Sequence, residues 1–306
     1  MNRKMKNPFK IALIILNYNT ANDTIKLSRA LLENLDGKYK VFLIDNCSSD
    51  YDLLSEYVVK SNGQISKENQ LSNLKFDNSR LLLIKSESNG GYSYGNNLGL
   101  KLAYKLGFKL AFIINPDVYI PNYNIFDDSI SIFSSNKKIG VLGYKVVLPD
   151  GKNQGPFKYD LGWDLFFRNV LFPFYSIMKE LLWRIEKWKK GYVTIPAVVG
   201  CFVAFDLEKM SSVDFYDEKV FLYFEEYVIS NRMRQKNYIT VYRDYYYVDH
   251  NHNYFTDTNT SINKLRGDIS RNYYLKSYLS LSQFSIKILK GTEIYYNAIR
   301  NNRNFK

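Results

Sequence analysis

The run Leu110-Ala111-Phe112-Ile113-Ile114 stops abruptly at Asn115-Pro116-Asp117. Five apolar residues, mostly β-branched or aromatic, suit a strand buried on both faces. Pro116 has no N–H and ends the ladder there. Asp117 is then placed at the carboxyl end of a central strand, where open α/β sheets hold their ligands. It reads equally as a metal or phosphate residue and as a turn aspartate. The same grammar recurs along the chain. Ile11–Leu16 ends at Asn17-Tyr18-Asn19-Thr20, and Lys40–Ile44 ends at Asp45-Asn46-Cys47-Ser48-Ser49-Asp50. Leu81–Ile84 precedes a glycine-rich segment, and residues 139–148 run into the turn Pro149-Asp150-Gly151. Helical spacing of Ile25, Leu27, Leu31, Leu32 and Leu35 fills the first interval, behind a cap at Thr20 or Asn22. This βαβ rhythm predicts an α/β fold on a largely parallel sheet.

The glycine-rich segment, Asn89-Gly90-Gly91-Tyr92-Ser93-Tyr94-Gly95-Asn96-Asn97-Leu98-Gly99, opens a predicted helix through Leu106. Its glycines permit close backbone approach to a ligand, and the helix start can meet an anion. No Gly-Lys-Ser/Thr follows, so it is not a Walker loop. Residues 61–79, rich in Asn and Ser, read as an insertion or mobile loop. Residues 193–205 are strand-like around Gly200-Cys201, and a helix starting near Glu225-Glu226 leads to a strand at Tyr238–Arg243. Adjacent carboxylates on a helix diverge by about 100°, so Glu225 and Glu226 cannot do the same job. The chain's two histidines fall together in Asp249-His250-Asn251-His252, which reads as a ligand site or as a polar loop. Residues 261–290 read as one long basic helix.

Net charge is +12, which points to acidic partners such as nucleoside diphosphates or an anionic membrane surface. The basic residues are spread through the chain with no nucleic-acid motif, so nucleic acid is not expected. Two distant cysteines suit a reducing compartment. No stretch reaches the length of a membrane span. Residues 155–192 mix Phe, Trp and Leu with Arg and Lys, and read either as a membrane-surface element or as an ordinary packing layer.

Several motifs stand in one order and together resemble glycosyltransferase family 2, inverting enzymes of the GT-A fold, in its rhamnosyltransferase-like branch. The resemblance covers roughly residues 10–275. Ile44-Asp45-Asn46-Cys47-Ser48-Ser49-Asp50 is similar to V-D-N-x-S-x-D, and residues 89–99 to N-x-G-[FY]-x-x-G-x-N-x-G. Ile114-Asn115-Pro116-Asp117-Val118 resembles the L-N-P-D-V form of D-x-D. Gly200-Cys201-Phe202 resembles the segment lining the sugar site. Phe221-Leu222-Tyr223-Phe224-Glu225-Glu226 resembles F-L-Y-F-E-D, Val248-Asp249-His250 resembles V-x-H, and Arg271-Asn272-Tyr273-Tyr274 the closing R-N-x-Y. The sequence departs from the pattern at Glu226 for Asp, at Val228, at Asn251-His252 in place of Gly-Gly, and at Asn115.

The resemblance implies a GT-A mixed sheet flanked by helices, with an aromatic, basic helical region on the acceptor side. It implies a nucleotide-sugar half over residues 1–150, an acceptor half with the catalytic base over 151–260, and a basic helical extension over 261–306. Implied roles are Glu226 as base with Glu225 beside it, Asp117 and His250 for Mg²⁺ or Mn²⁺, and Asn17, Asn19, Asp45, Asn89, Gly90, Gly91, Asn97 and Asn115 for the donor. The implied reaction moves a sugar from a UDP- or dTDP-sugar to a glycan acceptor, lipid-linked, in bacterial O-antigen or capsule synthesis, with the protein cytoplasmic, either free or peripheral on the inner face of the cell membrane. The alternatives are a non-catalytic carbohydrate- or membrane-binding module of the same shape, or a sugar-nucleotide pyrophosphorylase. The latter needs a glycine-rich loop with a basic pair, and none follows Leu16.

Overall fold

Alternation along the first strand shows how the sheet is covered. In β1 (Ile11–Asn17), Ile11, Leu13 and Ile15 pack to one side, while Ala12 and Ile14 pack to the other. Both faces are buried, which is why the strand reads as an unbroken apolar run. The computed structural model describes residues 11–74, 79–251 and 260–303. Its further strands are β2 (Tyr39–Asp45), β3 (Gln64–Lys67), β4 (Leu81–Lys85), β5 (Leu110–Ile114), β6 (Val118–Tyr119), β7 (Ile139–Val147), β8 (Val193–Thr194), β9 (Phe202–Asp206) and β10 (Ile239–His250). The helices are α1 (Ala21–Asn34), α2 (Tyr51–Lys60), α3 (Gly91–Lys105), α4 (Asn124–Ser135), α5 (Trp163–Val170), α6 (Phe174–Lys190), α7 (Leu207–Ser212), α8 (Glu225–Gln235), α9 (Thr260–Ser277) and α10 (Gln283–Arg303).

Among the described residues the strands form one sheet in the order β3-β4-β2-β1-β5-β9-β7-β10-β6, with β8 paired to β10. β2 and β5 flank β1 in parallel, β9 runs antiparallel between β5 and β7, and β10 is parallel to β7. The carboxyl ends of β1, β2, β5, β7 and β10 therefore open on one rim. Helices α1, α2 and α4 cover one face through Leu31, Leu54 and Phe126; α3, α7 and α8 cover the other through Leu100, Met210 and Met233. Helix α3 lies unusually close to β1. A Cβ at Gly95 would sit 2.4 Å from Leu16 Cδ1, and one at Gly99 2.8 Å from Ile14 Cγ2.

Two expectations are corrected. Residues 61–79 are not one loop: Gln64–Lys67 form β3, parallel to β4. One buried residue among four, Ser66, left too little alternation to show. Residues 75–78 lie outside the described set. The expected long helix over 261–290 is two helices. The Tyr278 and Leu279 N–H groups both donate to Tyr274 O, Ser280 takes a φ of 53°, and Ser282 Oγ accepts from Ser285 N to start α10.

Candidate active site

The rim carries a cleft of about 910 Å³. Asn115 comes to it from the end of β5, His250 from the end of β10, and Glu225 and Glu226 from the start of α8. Lys264, Asp268 and Arg271 of α9 line it as well. Hydrogen bonds pin that helix in place. Ser270 Oγ donates to Leu222 O at 2.9 Å, and the Tyr273 hydroxyl to Asp217 Oδ2 at 2.8 Å.

The carboxylate pair sits after a backbone that aromatic residues seldom adopt. Tyr223 and Phe224 have φ values of 66° and 68°, a cost of order 1–3 kcal/mol each. This double left-handed step ends the incoming loop and starts α8 directly at Glu225. Glu225 is buried, and its Oε2 finds no hydrogen-bond partner among the described residues. Burial, and then the Glu226 charge, hold its carboxyl well above the usual range. Glu226 accepts a hydrogen bond from Gly200 N at 3.3 Å. Burial raises its pKa from 4.5 to about 7, against the lowering effect of its own N–H and that of Gly200. The two glutamates thus differ: burial and its neighbour's charge raise the proton affinity of Glu225 well above the usual range, and burial brings that of Glu226 to about 7.

Gly200-Cys201 joins this pair to the β5 end. Asn115 N donates to Cys201 O at 2.8 Å, and the Tyr92 hydroxyl donates to Gly200 O at 2.8 Å. Burial, then the Asp117 and Glu226 charges, push the Cys201 thiol up, so both carboxylates lie within electrostatic reach of one group. Burial, then the Tyr216, Glu225 and Glu226 charges, do the same for Tyr92.

Asp117 meets His250 because β6 pairs with β10, setting Val118 opposite His250. His250 Nε2 lies 3.2 Å from Asp117 Oδ1, and Nδ1 lies 2.6 Å from Gln154 Oε1. Donation from Nδ1 to the Gln154 oxygen leaves Nε2 as the basic nitrogen, turned toward a carboxylate oxygen. One imidazole and one carboxylate facing each other suit a divalent cation whose remaining positions go to phosphate and water. Among the described residues no group of three or more His, Cys, Asp and Glu side chains gathers for a metal. His252 lies outside the described residues.

The residues expected to hold the donor fall into two groups. Asn115 reaches the cleft. Asn17 and Asp45 are instead wholly buried and bonded to each other, with Asn17 Nδ2 3.0 Å from Asp45 Oδ1. Asn17 also donates to Ser48 and Asp50 and accepts from Thr20 and Thr24, which saturates its amide. Asp45 Oδ2 accepts from Ser48 N. Asn19 is exposed, and its Oδ1 accepts from Ser49 N and Oγ. Together these residues brace the loop after β2.

Asn89 Oδ1 accepts from Asn46 and from Gly91 N. Asn97, also buried, exchanges bonds with Tyr216 N and O and donates to Glu218. Gly91 has a φ of 87°, and a Cβ there would sit 2.4 Å from Phe221 O. Gly90 faces the Tyr94 ring at 2.4 Å by the same measure. The close approach these glycines allow is to the protein's own chain. Gln154 gave no sequence signal; Tyr92 and the strained pair Tyr223-Phe224 stood within quoted motifs without being singled out.

No protein-family model matches the chain, and no curated protein matches it. Solved structures do. A mannosyltransferase, PcManGT from Pyrobaculum calidifontis in complex with GDP-Man and Mn²⁺, superposes with a TM-score of 0.58 at 12% identity over 95% of this chain and 74% of its own. GalNAc-T7 with UDP, GalNAc and Mn²⁺ gives 0.58 at 17% identity, over 95% of this chain and 55% of its own. S. aureus TarS 1–349 in complex with UDP-GlcNAc gives 0.54 at 14% identity, over 95% and 73%. The chain has the GT-A fold. It spans little more than half of the GalNAc-T7 chain. In this GT-A chain the cleft lies where the parallel strands end. Among the described residues no helix is long and apolar enough to cross a membrane.

Proposed function

We propose that the chain is an inverting glycosyltransferase of the family 2 type, moving a sugar from a nucleoside-diphosphate sugar to an acceptor hydroxyl. The observation that carries this reading is Glu226: a carboxylate at the cleft whose proton affinity burial brings to about 7. A base working near neutral pH needs that affinity. Glu226 takes the acceptor proton. The acceptor oxygen then bonds to the anomeric carbon as the bond to the diphosphate oxygen breaks on the opposite face. Neutral Glu225 keeps a second negative charge away from the incoming oxygen. Asp117 and His250 would hold a divalent cation, Mg²⁺ or Mn²⁺, which supplies positive charge against the departing diphosphate. Lys264 and Arg271 add positive charge on the α9 wall.

The GT-A neighbours bound to GDP-Man, to UDP with GalNAc, and to UDP-GlcNAc support a nucleotide-sugar donor. Within that class the motifs favour a UDP- or dTDP-sugar and a rhamnosyltransferase-like enzyme acting on a lipid-linked glycan of a bacterial cell surface. Residues 1–150 then serve the donor and 151–260 the acceptor and base, while 261–306 are a basic helical extension whose α9 lines the cleft. Asn17, Asp45 and Asn97 act by holding the donor side in shape.

The test is a panel of nucleotide sugars with Mn²⁺ and a simple glycoside acceptor, the product anomer read by NMR. Transfer or slow donor hydrolysis with inverted configuration is expected. Retained configuration, or no turnover with any donor, overturns the reading.

A further inference from the structure

Helix α6 carries its apolar stripe on the outside. Phe174, Ile177, Leu181, Ile185 and Trp188 recur at steps of three and four and share one face. All are exposed, Phe174 to 79% and Trp188 to 84%, and no residue of the helix is buried. Trp183, on the opposite side, turns inward and stacks on Tyr242 of β10 at 5.7 Å. An amphipathic surface helix normally faces its stripe to the core. Here the polarity is reversed, so the packing-layer reading of this region fails for α6. The stripe continues through exposed Leu171, Val170 and Phe167 at the end of α5. Arg184 and Lys189 flank it, and α6 holds five cations against Glu180 and Glu186.

We propose that this α5–α6 face lies on an anionic lipid bilayer. The length of α6, 17 residues, is about 25 Å and suits a helix lying in the interface plane rather than one crossing it. Charge decides between occupants. A second copy would bring Arg184 and Lys189 against the same cations in a chain of net charge +12, whereas anionic headgroups neutralise them. The placement also suits the cleft. Phe157 lines it, and Tyr159, two residues on, meets Tyr175 of α6 with ring centres 6.4 Å apart. An acceptor anchored in the bilayer would reach the site along that segment.

The experiment is flotation of the full chain with phosphatidylcholine vesicles, with and without roughly one-third phosphatidylglycerol. Partition to the anionic vesicles should exceed that to neutral ones by about twenty-five-fold or more and fall as salt rises. Ile177→Glu with Leu181→Glu should abolish partition to both. Arg184→Gln with Lys189→Gln should erase about fivefold of the anionic preference per cation and leave the neutral-lipid binding in place. Both variants should keep the wild-type melting temperature, since the replaced side chains are exposed. Four results would overturn the assignment: no partition, equal partition, a clearly lowered melting temperature in the glutamate variant, or a dimer by light scattering that this variant dissociates. Lipid binding is read without any sugar donor, so a failed transfer assay leaves it standing.

Discussion

Replacing Glu226 with Gln should slow the enzyme and stabilise the fold, with both effects growing as pH rises. Burial lifts the folded-state pKa from 4.5 to about 7. At about 1.4 kcal/mol per pH unit, the charged form is disfavoured in the folded protein by at most about 3.5 kcal/mol. Below pH 4.5 the carboxyl is protonated whether folded or unfolded, and nothing is lost. Between that point and about 7 the folded state holds the extra proton, so wild-type stability falls as pH rises. Above about 7 the full penalty stands. Gln keeps the shape and an oxygen for Gly200 N–H, and carries no charge.

Because part of the side chain meets water, we expect a gain of about 1–3 kcal/mol at pH 8 and none at pH 4, read from urea unfolding. Turnover should fall at least a hundredfold, as for other lost general bases. Wild-type kcat/KM should rise with pH through about 7, a limb the variant lacks. A variant that is less stable at pH 8 would refute the burial argument, and near-wild-type turnover would refute the role as base.

Gly91→Ala and Gly107→Ala share a positive φ, 87° and 81°, but only Gly91 has a neighbour, Phe221 O at 2.4 Å. Chemical denaturation should show a loss of about 1 kcal/mol at Gly107 and about 2–4 kcal/mol at Gly91, and equal losses would discount the contact with the strained loop before α8. Asp117→Ala should abolish Mn²⁺-dependent binding of nucleoside diphosphates in calorimetry, while unchanged affinity would remove it from the cation site. Stripping the cation with a chelator should lower the melting temperature only when nucleotide is present. Asn97→Ala leaves Tyr216 N and O and Glu218 without their buried partner. It should destabilise by about 2–3 kcal/mol in urea melts, and a neutral outcome would show that the α3 contact with residues 216–218 holds without it.

The exits of β1, β2, β4, β5 and β7 and the helices α1, α3 and α8 were legible because each rests on local pattern. Apolar runs ended by Asn, Asp and Pro mark strand exits whatever surrounds them, whereas the glycines of residues 90–99 read as an approach to a ligand and in the structure admit the protein's own chain. The mixed sheet followed from the motif resemblance and not from local pattern, because β9 enters antiparallel between β5 and β7 through pairings far apart in sequence. Not legible were β3, whose four residues carry little alternation, and the break at Ser280, which depends on local hydrogen bonds.

Sequence alone marked the candidates: two adjacent glutamates, an aspartate at a strand exit, a histidine closing another. Tertiary structure decided what each can do. Burial raises the proton affinity of Glu226 and, further, of Glu225, and the β6–β10 pairing sets His250 against Asp117. Asn17 and Asp45 are drawn inside as braces, and α6 turns its apolar stripe outward. Proton affinity and exposure belong to a side chain's surroundings, and those are assembled from segments that never meet along the chain.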